Sequence, residues 1–521
     1  MSGNDVAIPR EGFGVAPVSR RFAERARGTE VAKAAGMKIL SCLLLLAAAG
    51  CDVSGSLPSS PSSPGGDFGA TPGGVKDLKL ARELIAAGTV PPGDAVLVEA
   101  MFAEHDLPIE GAPCPRTLCL RAAAGLAPDV DGAPRAWAAL GLSSTIDPDT
   151  WRRPSTTFIF TVDVSGSMAW GGGDDEHPTP AWLARGLLHA LTDTLRTDDR
   201  VAIVTYGSSV STALDLTSGR DASRVHSKIN SLREAGSTNM EAGMRRAYEI
   251  GRSARRSTEQ VRVIVFTDTQ PNVGATSGSE FAAMVKDAAE SGVYTTTLAL
   301  GLGIGPEVMR GMSTLTGANA YSLTRAGDVE DLIANDYPWF TTPIAFDLRV
   351  NVAGEPGWAI DRGLGFPAGS DAEEQGLKAS TVFLSRRRGA MLVGFAPAGD
   401  APPFAGDLTL HYVEPGGDAV DETFAFAHDG TPLDERGQWF AQPGIAHATA
   451  LGLYAEAMHD ALVAYQDDQP RAEAILAAAV ERFTADAAAL DAADVKAEVE
   501  LGTALLALVR AHAPQGTLYG Q

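Results

Sequence analysis

The chain has 521 residues and a formal net charge of −23 at pH 7, with 45% hydrophobic and 21% charged residues. This length leaves room for about three domains, and the hydrophobic content is ordinary for globular proteins. The acidic balance argues against nucleic acid as a partner and against adhesion to anionic lipid by charge.

The N-terminal part contains a targeting signal at residues 37–51, with a basic start, an apolar run and small residues before a cysteine. The run is too short to span a bilayer and therefore predicts a signal peptide. Its end, Ala48-Ala-Gly-Cys51, resembles the lipobox of bacterial lipoproteins, which implies cleavage before Cys51 and lipid on its thiol. Ordinary secretory cleavage and a buried helix are the alternatives. Residues 1–36 lack any pattern, so we interpret Met37 as the true start.

The cysteine content agrees with export. Of the 4 cysteines, Cys42 would leave with the signal and Cys51 would carry the lipid. Cys114 and Cys119 remain as a pair in an oxidising compartment, and we predict a disulfide between them. A zinc site is disfavoured, because no second Cys or His pair stands nearby at ligand spacing. The resulting localisation is the cell envelope, as a membrane-anchored lipoprotein facing the periplasm or the cell surface.

Two segments precede the main domain. Residues 52–76 are rich in serine, proline and glycine, a composition that cannot bury a core and predicts a flexible tether. Residues 77–150 are predicted to form a helix followed by strands, one of them at residues 136–142.

Residues 151–338 alternate between apolar runs typical of buried strands and stretches with helical spacing. The predicted strands are residues 158–162, 201–206, 211–216, 261–266 and 293–300. The predicted helices are residues 181–191, 240–250, 281–290 and 306–315. This order predicts an α/β, Rossmann-like fold whose mostly parallel sheet is covered by helices on both faces. Ligands of such sheets bind outside the carboxyl ends of the strands.

Oxygen-bearing side chains follow three of these predicted elements. Asp163, Ser165 and Ser167 come directly after the first strand, Thr238 lies in a loop that opens a helix, and Asp268 ends a later strand. Oxygen ligands with few carboxylates suit Mg²⁺, which keeps several of its waters. The alternative is that the serines and the aspartate cap the next helix.

These five residues match the metal-ion-dependent adhesion site of von Willebrand factor A domains. The resemblance implies that Ser165, Ser167 and Thr238 are the nearest ligands, with Asp163 and Asp268 acting through water. It also implies that Mg²⁺, or alternatively Mn²⁺ or Ca²⁺, is completed by an exposed Asp or Glu of a protein partner. Residues 84–102 are similar to a stretch that precedes the A domain in a family of bacterial A-domain lipoproteins.

The C-terminal part changes pattern twice. Residues 339–440 contain runs with period two, which predict half-buried antiparallel strands and a β-sandwich. Strands before the A domain could complete this sandwich. Residues 441–521 are rich in alanine, with apolar positions at helical spacing and a break at Pro470, and predict a helical hairpin or small bundle.

Three functions are compatible with these features. The first is a lipid-anchored envelope protein that binds a protein partner through its metal. The second is a scaffold of envelope assembly in which the metal is structural. The third is a metal-assisted hydrolase, which needs a general base near the ion. The chain has neither an H-E-x-x-H nor a G-x-S-x-G motif, and we predict that it is not an enzyme.

Overall fold

The computed structural model describes residues 68–516 with internal gaps. The gaps are residues 113, 148, 173–174, 269–270, 304, 338, 355–356, 368–376, 400–402, 429–435 and 437–438. The predicted signal peptide and the lipid attachment at Cys51 lie outside the described residues. Among the helices that are described, none is both long and apolar enough to cross a membrane.

The described residues form sixteen strands and eleven α-helices. The strands are β1 (Phe68–Pro72), β2 (Gly74–Val75), β3 (Leu118–Pro128), β4 (Pro134–Ser144), β5 (Thr156–Asp163), β6 (Arg200–Tyr206), β7 (Val210–Ser218), β8 (Gln260–Thr267), β9 (Val293–Leu300), β10 (Asn319–Leu323), β11 (Pro343–Gly354), β12 (Trp358–Leu364), β13 (Leu377–Ser385), β14 (Gly389–Pro397), β15 (Phe404–Val413) and β16 (Ala419–His428). The helices are α1 (Lys79–Ala86), α2 (Val98–Glu104), α3 (Pro180–Asp193), α4 (Ala222–Asn230), α5 (Met240–Ala254), α6 (Gly278–Glu290), α7 (Pro306–Ser313), α8 (Gly327–Asp331), α9 (Pro443–Ala464), α10 (Gln469–Leu490) and α11 (Ala493–Arg510).

The central domain is built on a seven-stranded sheet in the order β2-β10-β9-β8-β5-β6-β7. Neighbouring strands are parallel except for β6 and β7. Side chains alternate between the two faces of β5, so that Phe158 and Phe160 pack on one side and Ile159 on the other. Helices α3 and α4 cover the first face, and α5 and α6 cover the second. The predicted α/β fold with a mostly parallel sheet is thereby confirmed.

A second, antiparallel sheet combines strands from both sides of the central domain in sequence. Its order is β12-β14-β4-β1-β13-β11-β15-β16, with β3 paired to the other side of β4. Strand β3 also lies against β15 and β16, so that the sheet curls around one shared apolar core. The strands predicted within residues 339–440 therefore do not form a sheet on their own. The central domain is an insertion between β4 and β11.

The last three helices, α9 to α11, pack together and against α1 and α2. Helix α10 begins at Gln469 and has Pro470 in its first turn, where a missing N–H breaks no helical hydrogen bond. Aromatic stacking contributes to this core, because the rings of Tyr454 and Phe483 are 4.0 Å apart between centroids.

The prediction of a tether through residue 76 is wrong for its last part. Residues Phe68–Pro72 form β1, which pairs with β13 and β4, and Gly74–Val75 pair in parallel with β10. Glycine and proline obscured these strands, but Gly73 and Gly74 lie where there is little room for a side chain. A Cβ on Gly73 would come within 2.8 Å of the carbonyl oxygen of Ala318, and Gly74 has a φ of +99°.

Candidate metal-binding site

The five predicted ligands lie at the carboxyl edge of the parallel sheet. Asp163 is the last residue of β5, and Asp268 directly follows β8, which pairs with β5. Thr238 precedes α5, whose N-terminal residue Asn239 accepts a hydrogen bond from the N–H of Ala242. The sheet therefore brings residues more than a hundred positions apart in the chain to one place.

Hydrogen bonds connect four of the five residues directly. The N–H of Ser165 donates to Oδ1 of Asp163 at 2.8 Å, and the hydroxyl oxygens of Ser165 and Ser167 are 3.0 Å apart. The hydroxyl of Ser167 donates to Oδ1 of Asp268 at 3.2 Å. Thr267 adds a long contact of 3.4 Å from its hydroxyl to Oδ2 of Asp163. The two serines thus bridge the two carboxylates, through the backbone N–H of Ser165 and both hydroxyls.

The loop that carries Thr238 is held against this cluster through the backbone. The N–H of Gly166 donates to the carbonyl of Gly236 at 2.9 Å, and the N–H of Ala235 donates to the carbonyl of Val164 at 2.7 Å. The N–H of Thr238 itself donates to Oδ1 of Asn272 at 3.0 Å. Thr238 is buried, with 2% of its surface exposed. All three loops therefore meet at one point.

Helix capping does not explain the two serines. The short 3₁₀ turn Gly166–Ala169 begins after Ser165, and the Ser165 side chain makes no capping hydrogen bond. The next α-helix, α3, is capped by the hydroxyl of Thr179, which accepts from the N–H of Trp182. The hydroxyls of Ser165 and Ser167 are instead directed to each other and to Asp268.

The site concentrates negative charge away from water. Asp163, Ser165 and Asp268 are each at most 3% exposed. Burial, together with the nearby carboxylate of Asp268, raises the pKa of Asp163 to about 7. The donors to Asp163 described above, a backbone N–H and a hydroxyl, are neutral. Two buried carboxylates beside hydroxyl oxygens form a donor set that a hard divalent cation would stabilise.

Two exposed apolar side chains flank the cluster. Trp170 is 71% exposed, and its N–H donates to the carbonyl of Ser167 at 2.8 Å. Val273 is 41% exposed, and its N–H donates to the carbonyl of Thr238 at 3.3 Å. The backbone of each is thus bonded to a predicted ligand. A polar centre with an apolar rim results.

The loop that follows the site is held in place by contacts between charged side chains that are far apart in sequence. Residues 174–177 form an acidic stretch in this loop, and residue 174 lies outside the described residues. Nε2 of His177 lies 3.0 Å from Oε2 of Glu83 in α1, and Arg325 forms ion pairs with Glu83 and Glu176. Glu83 is 94 positions from His177, so no local spacing could have indicated the contact.

Cys114 and Cys119 are joined by a disulfide, with 5.6 Å between their Cα atoms. Cys114 precedes β3 and Cys119 is the second residue of that strand, so the disulfide lies outside the central sheet.

The central domain has a von Willebrand factor A-type α/β fold and is flanked by an antiparallel sheet and C-terminal helices. In agreement with this fold, residues 158–270 match the family model of the von Willebrand factor type A domain. The chain is 27% identical over 286 residues to the uncharacterized protein YfbK of Escherichia coli strain K12, an alignment that covers 54% of this chain and 48% of YfbK. The chain thus spans about half the length of that relative.

Solved structures with similarity include a von Willebrand factor type A protein from Catenulispora acidiphila, with a TM-score of 0.47 and 14% identity, covering 73% of this chain and 88% of that one. A second is the ArnB paralog VWA2 from Sulfolobus acidocaldarius, with a TM-score of 0.42 and 13% identity, covering 76% of this chain and 97% of that one.

Proposed function

We propose that this protein is a lipid-anchored bacterial envelope protein that binds another protein through a divalent metal ion. The observation that carries the proposal is the hydrogen-bonded cluster of Asp163, Ser165, Ser167 and Asp268 beside the Thr238 loop. Its residues come from three loops at one edge of a parallel sheet, where α/β proteins bind their ligands.

The donor set fits Mg²⁺, with Mn²⁺ and Ca²⁺ as alternatives. Ser165, Ser167 and Thr238 would hold the ion through hydroxyl oxygens, and Asp163 and Asp268 would balance its charge from behind. Neutral direct ligands leave positive charge on the ion, and this charge favours an incoming carboxylate. The partner therefore presents an exposed Asp or Glu.

The exposed apolar residues beside the cluster further restrict which partner surfaces can bind. Trp170 and Val273 expose apolar surface next to residues of the cluster, so that the acidic residue of the partner should be accompanied by apolar side chains. Tryptophan is enriched among residues that dominate binding energy in protein interfaces. An acidic residue within an apolar patch satisfies both parts of this surface.

Binding is favoured over hydrolysis by the chemistry of the neighbours. Thr267 and Asn272 hydrogen-bond to Asp163 and Thr238, and neither side chain takes up a proton near neutral pH. Among the described residues of the hydrogen-bonded cluster, only Asp163 and Asp268 could act as a general base, and we assign both to the ion. The anchor at Cys51 rests on the sequence of residues 37–51. The disulfide Cys114–Cys119 is compatible with an exported protein.

The test combines metal binding with partner capture. The full-length protein is titrated with Mg²⁺ by calorimetry, and then used to capture proteins from a bacterial envelope extract in Mg²⁺ or EDTA. We compare Ser165→Ala with Ser211→Ala, which removes an exposed hydroxyl from β7 of the same domain. We expect Ser165→Ala and EDTA to lose the same captured protein, and Ser211→Ala to retain it.

The outcomes separate the three functions. Mg²⁺ binding with identical capture in every condition would contradict metal-dependent adhesion and favour a structural metal. Captured protein that survives Ser165→Ala but not Trp170→Ala would place recognition on the rim alone. Mg²⁺-dependent turnover of esters, peptides or phosphates would favour hydrolysis.

A further inference from the structure

Two histidines on neighbouring helices of the central domain point the same ring nitrogen at each other. Nδ1 of His189 in α3 lies 2.7 Å from Nδ1 of His226 in α4, and the two ring planes are inclined by 23° with centroids 4.9 Å apart, so the rings meet edge to edge. Both residues are half-buried in the layer formed by α3 and α4 on one face of the sheet. His189 is nine residues into α3, which places it roughly 13 Å along the helix from the end nearest the oxygen-ligand cluster.

The other nitrogen of each ring is already in use. Nε2 of His226 lies 3.0 Å from Oδ1 of Asp193, and Nε2 of His189 lies 3.1 Å from Oδ1 of Asn230. Both partners are acceptors in this arrangement, so each Nε2 carries its proton. In neutral imidazole the remaining nitrogen, Nδ1, then has a free lone pair. The two lone pairs converge on one point, where only a shared proton or a cation can stabilise them.

This arrangement has the features of a histidine metal site. Metal-bound histidines generally donate their second N–H to a carboxylate or carbonyl, which fixes the tautomer, as Asp193 and Asn230 do here. Metal binding requires neutral imidazole. Burial and the neighbouring His226 lower the pKa of His189, which keeps that ring neutral. The nearby charge of Arg185 is engaged by an ion pair with Glu234.

We propose that His189 and His226 bind a divalent transition-metal ion of the zinc, nickel and copper group through their Nδ1 atoms. Imidazole suits these ions, whereas Mg²⁺ prefers oxygen. Zinc bonds to nitrogen at about 2.0–2.1 Å, so a tetrahedral site separates two ligands by roughly 3.3 Å. The two Nδ1 atoms need to part by about 0.6 Å from the observed 2.7 Å, and the rings need to tilt so that both lone pairs point at the ion. Water completes the shell, since His226 and Asp193 are 28% and 55% exposed at their side chains.

The test is calorimetric titration of the full-length protein with Zn²⁺ in Mg²⁺-containing buffer, so that the oxygen site does not contribute. We compare His189→Gln and His226→Gln with His411→Gln, a matched control in which a histidine next to Asp421 at 2.9 Å is removed from β15. Each of the first two substitutions should abolish binding, and His411→Gln should leave it unchanged. Asp193→Ala should weaken binding about tenfold or more, because it removes the acceptor behind His226.

A measurement on the unmodified protein is independent of any folding defect in the variants. In ¹⁵N-labelled protein, Zn²⁺ should shift the Nδ1 resonances of His189 and His226 while their Nε2 atoms remain protonated. Absence of binding by the unmodified protein would overturn the proposal. So would binding that His189→Gln leaves intact, or shifts confined to other histidines. Ser165→Ala should not affect Zn²⁺ binding, so this site and the proposed adhesion site succeed or fail separately.

Discussion

The stability of the contact between the N-terminal helices and the C-terminal helix should depend on the protonation of one histidine. His105 follows α2 and is 4% exposed. Its Nδ1 lies 3.0 Å from Oδ2 of Asp494, and its Nε2 lies 3.2 Å from Oε1 of Glu498, both in α11. Burial alone would lower the pKa of His105, but the hydrogen bonds to Asp494 and Glu498 outweigh burial and raise it to about 9.

The magnitude follows from the difference between the folded and unfolded pKa of His105. The folded value of about 9 exceeds the reference value of 6.5 by about 2.5 units, which corresponds to about 3 kcal/mol. Because the folded pKa is the higher one, the folded state binds the proton more tightly. The contribution is complete below pH 6.5 and is lost as the pH rises through 9.

The assay is urea unfolding followed by circular dichroism, for the unmodified protein and His105→Gln at pH 6 and pH 9.5. At pH 6 the unmodified protein should have a higher free energy of unfolding than His105→Gln. This difference should be about 3 kcal/mol smaller at pH 9.5. Other groups that titrate in this range, such as Lys76 and Asp77, with pKa values of about 7, are present in both proteins and cancel. If this difference in free energy of unfolding is the same at both pH values, the charge of His105 does not cause it.

Three further substitutions test the packing by thermal or urea unfolding. Leu187→Ala removes a fully buried side chain of α3 and should destabilise the central domain by about 2–5 kcal/mol. Asp199→Asn should lower stability by about 3–5 kcal/mol, because it leaves the buried guanidinium of Arg153 without its charge partner. Gly502→Ala places a Cβ 1.5 Å from the Tyr454 hydroxyl and should destabilise α9–α11 by about 1–3 kcal/mol. Adding Tyr454→Phe should recover part of that loss, and unchanged midpoints would contradict each prediction.

Five of the seven strands of the central sheet were predictable because their information is local, whereas β2 and β10 were not predicted. Strands such as β5 and β8 are continuous apolar runs that end in polar residues, and the spacing of strands and helices admits few topologies. The same pattern predicts that Asp163 and Asp268 lie at one edge of the sheet. Parallel strands have their carboxyl ends at the same edge of a sheet. Asp163 and Asp268, which end β5 and follow β8, therefore lie at that edge.

The antiparallel sheet was only partly predictable, because its pairing is non-local. Strand β4 was predicted, but its neighbours β3 and β14 lie on opposite sides of the central domain in sequence. Period two shows that a strand has one buried face and says nothing about its partner. Strand β13 lacks a clear apolar alternation, since four consecutive residues from Thr381 to Leu384 are buried. Pairs such as His189 and His226 likewise arise only when helices pack.

The surroundings of the candidate site belong to the N-terminal segment as much as to the central domain. Strand β2 pairs with β10 at one edge of the parallel sheet. Just after it, the carboxylate of Asp77 accepts a hydrogen bond from the N–H of Ser322 at 2.8 Å. One helical turn further, Glu83 engages His177 and Arg325 and so fixes the loop that follows the predicted ligands. The five predicted ligands follow from their order in the chain, but the position of the surface around them depends on residues that precede the central domain. The family resemblance therefore predicts where an ion would bind, and the flanking sequence of this chain shapes the surface around that place.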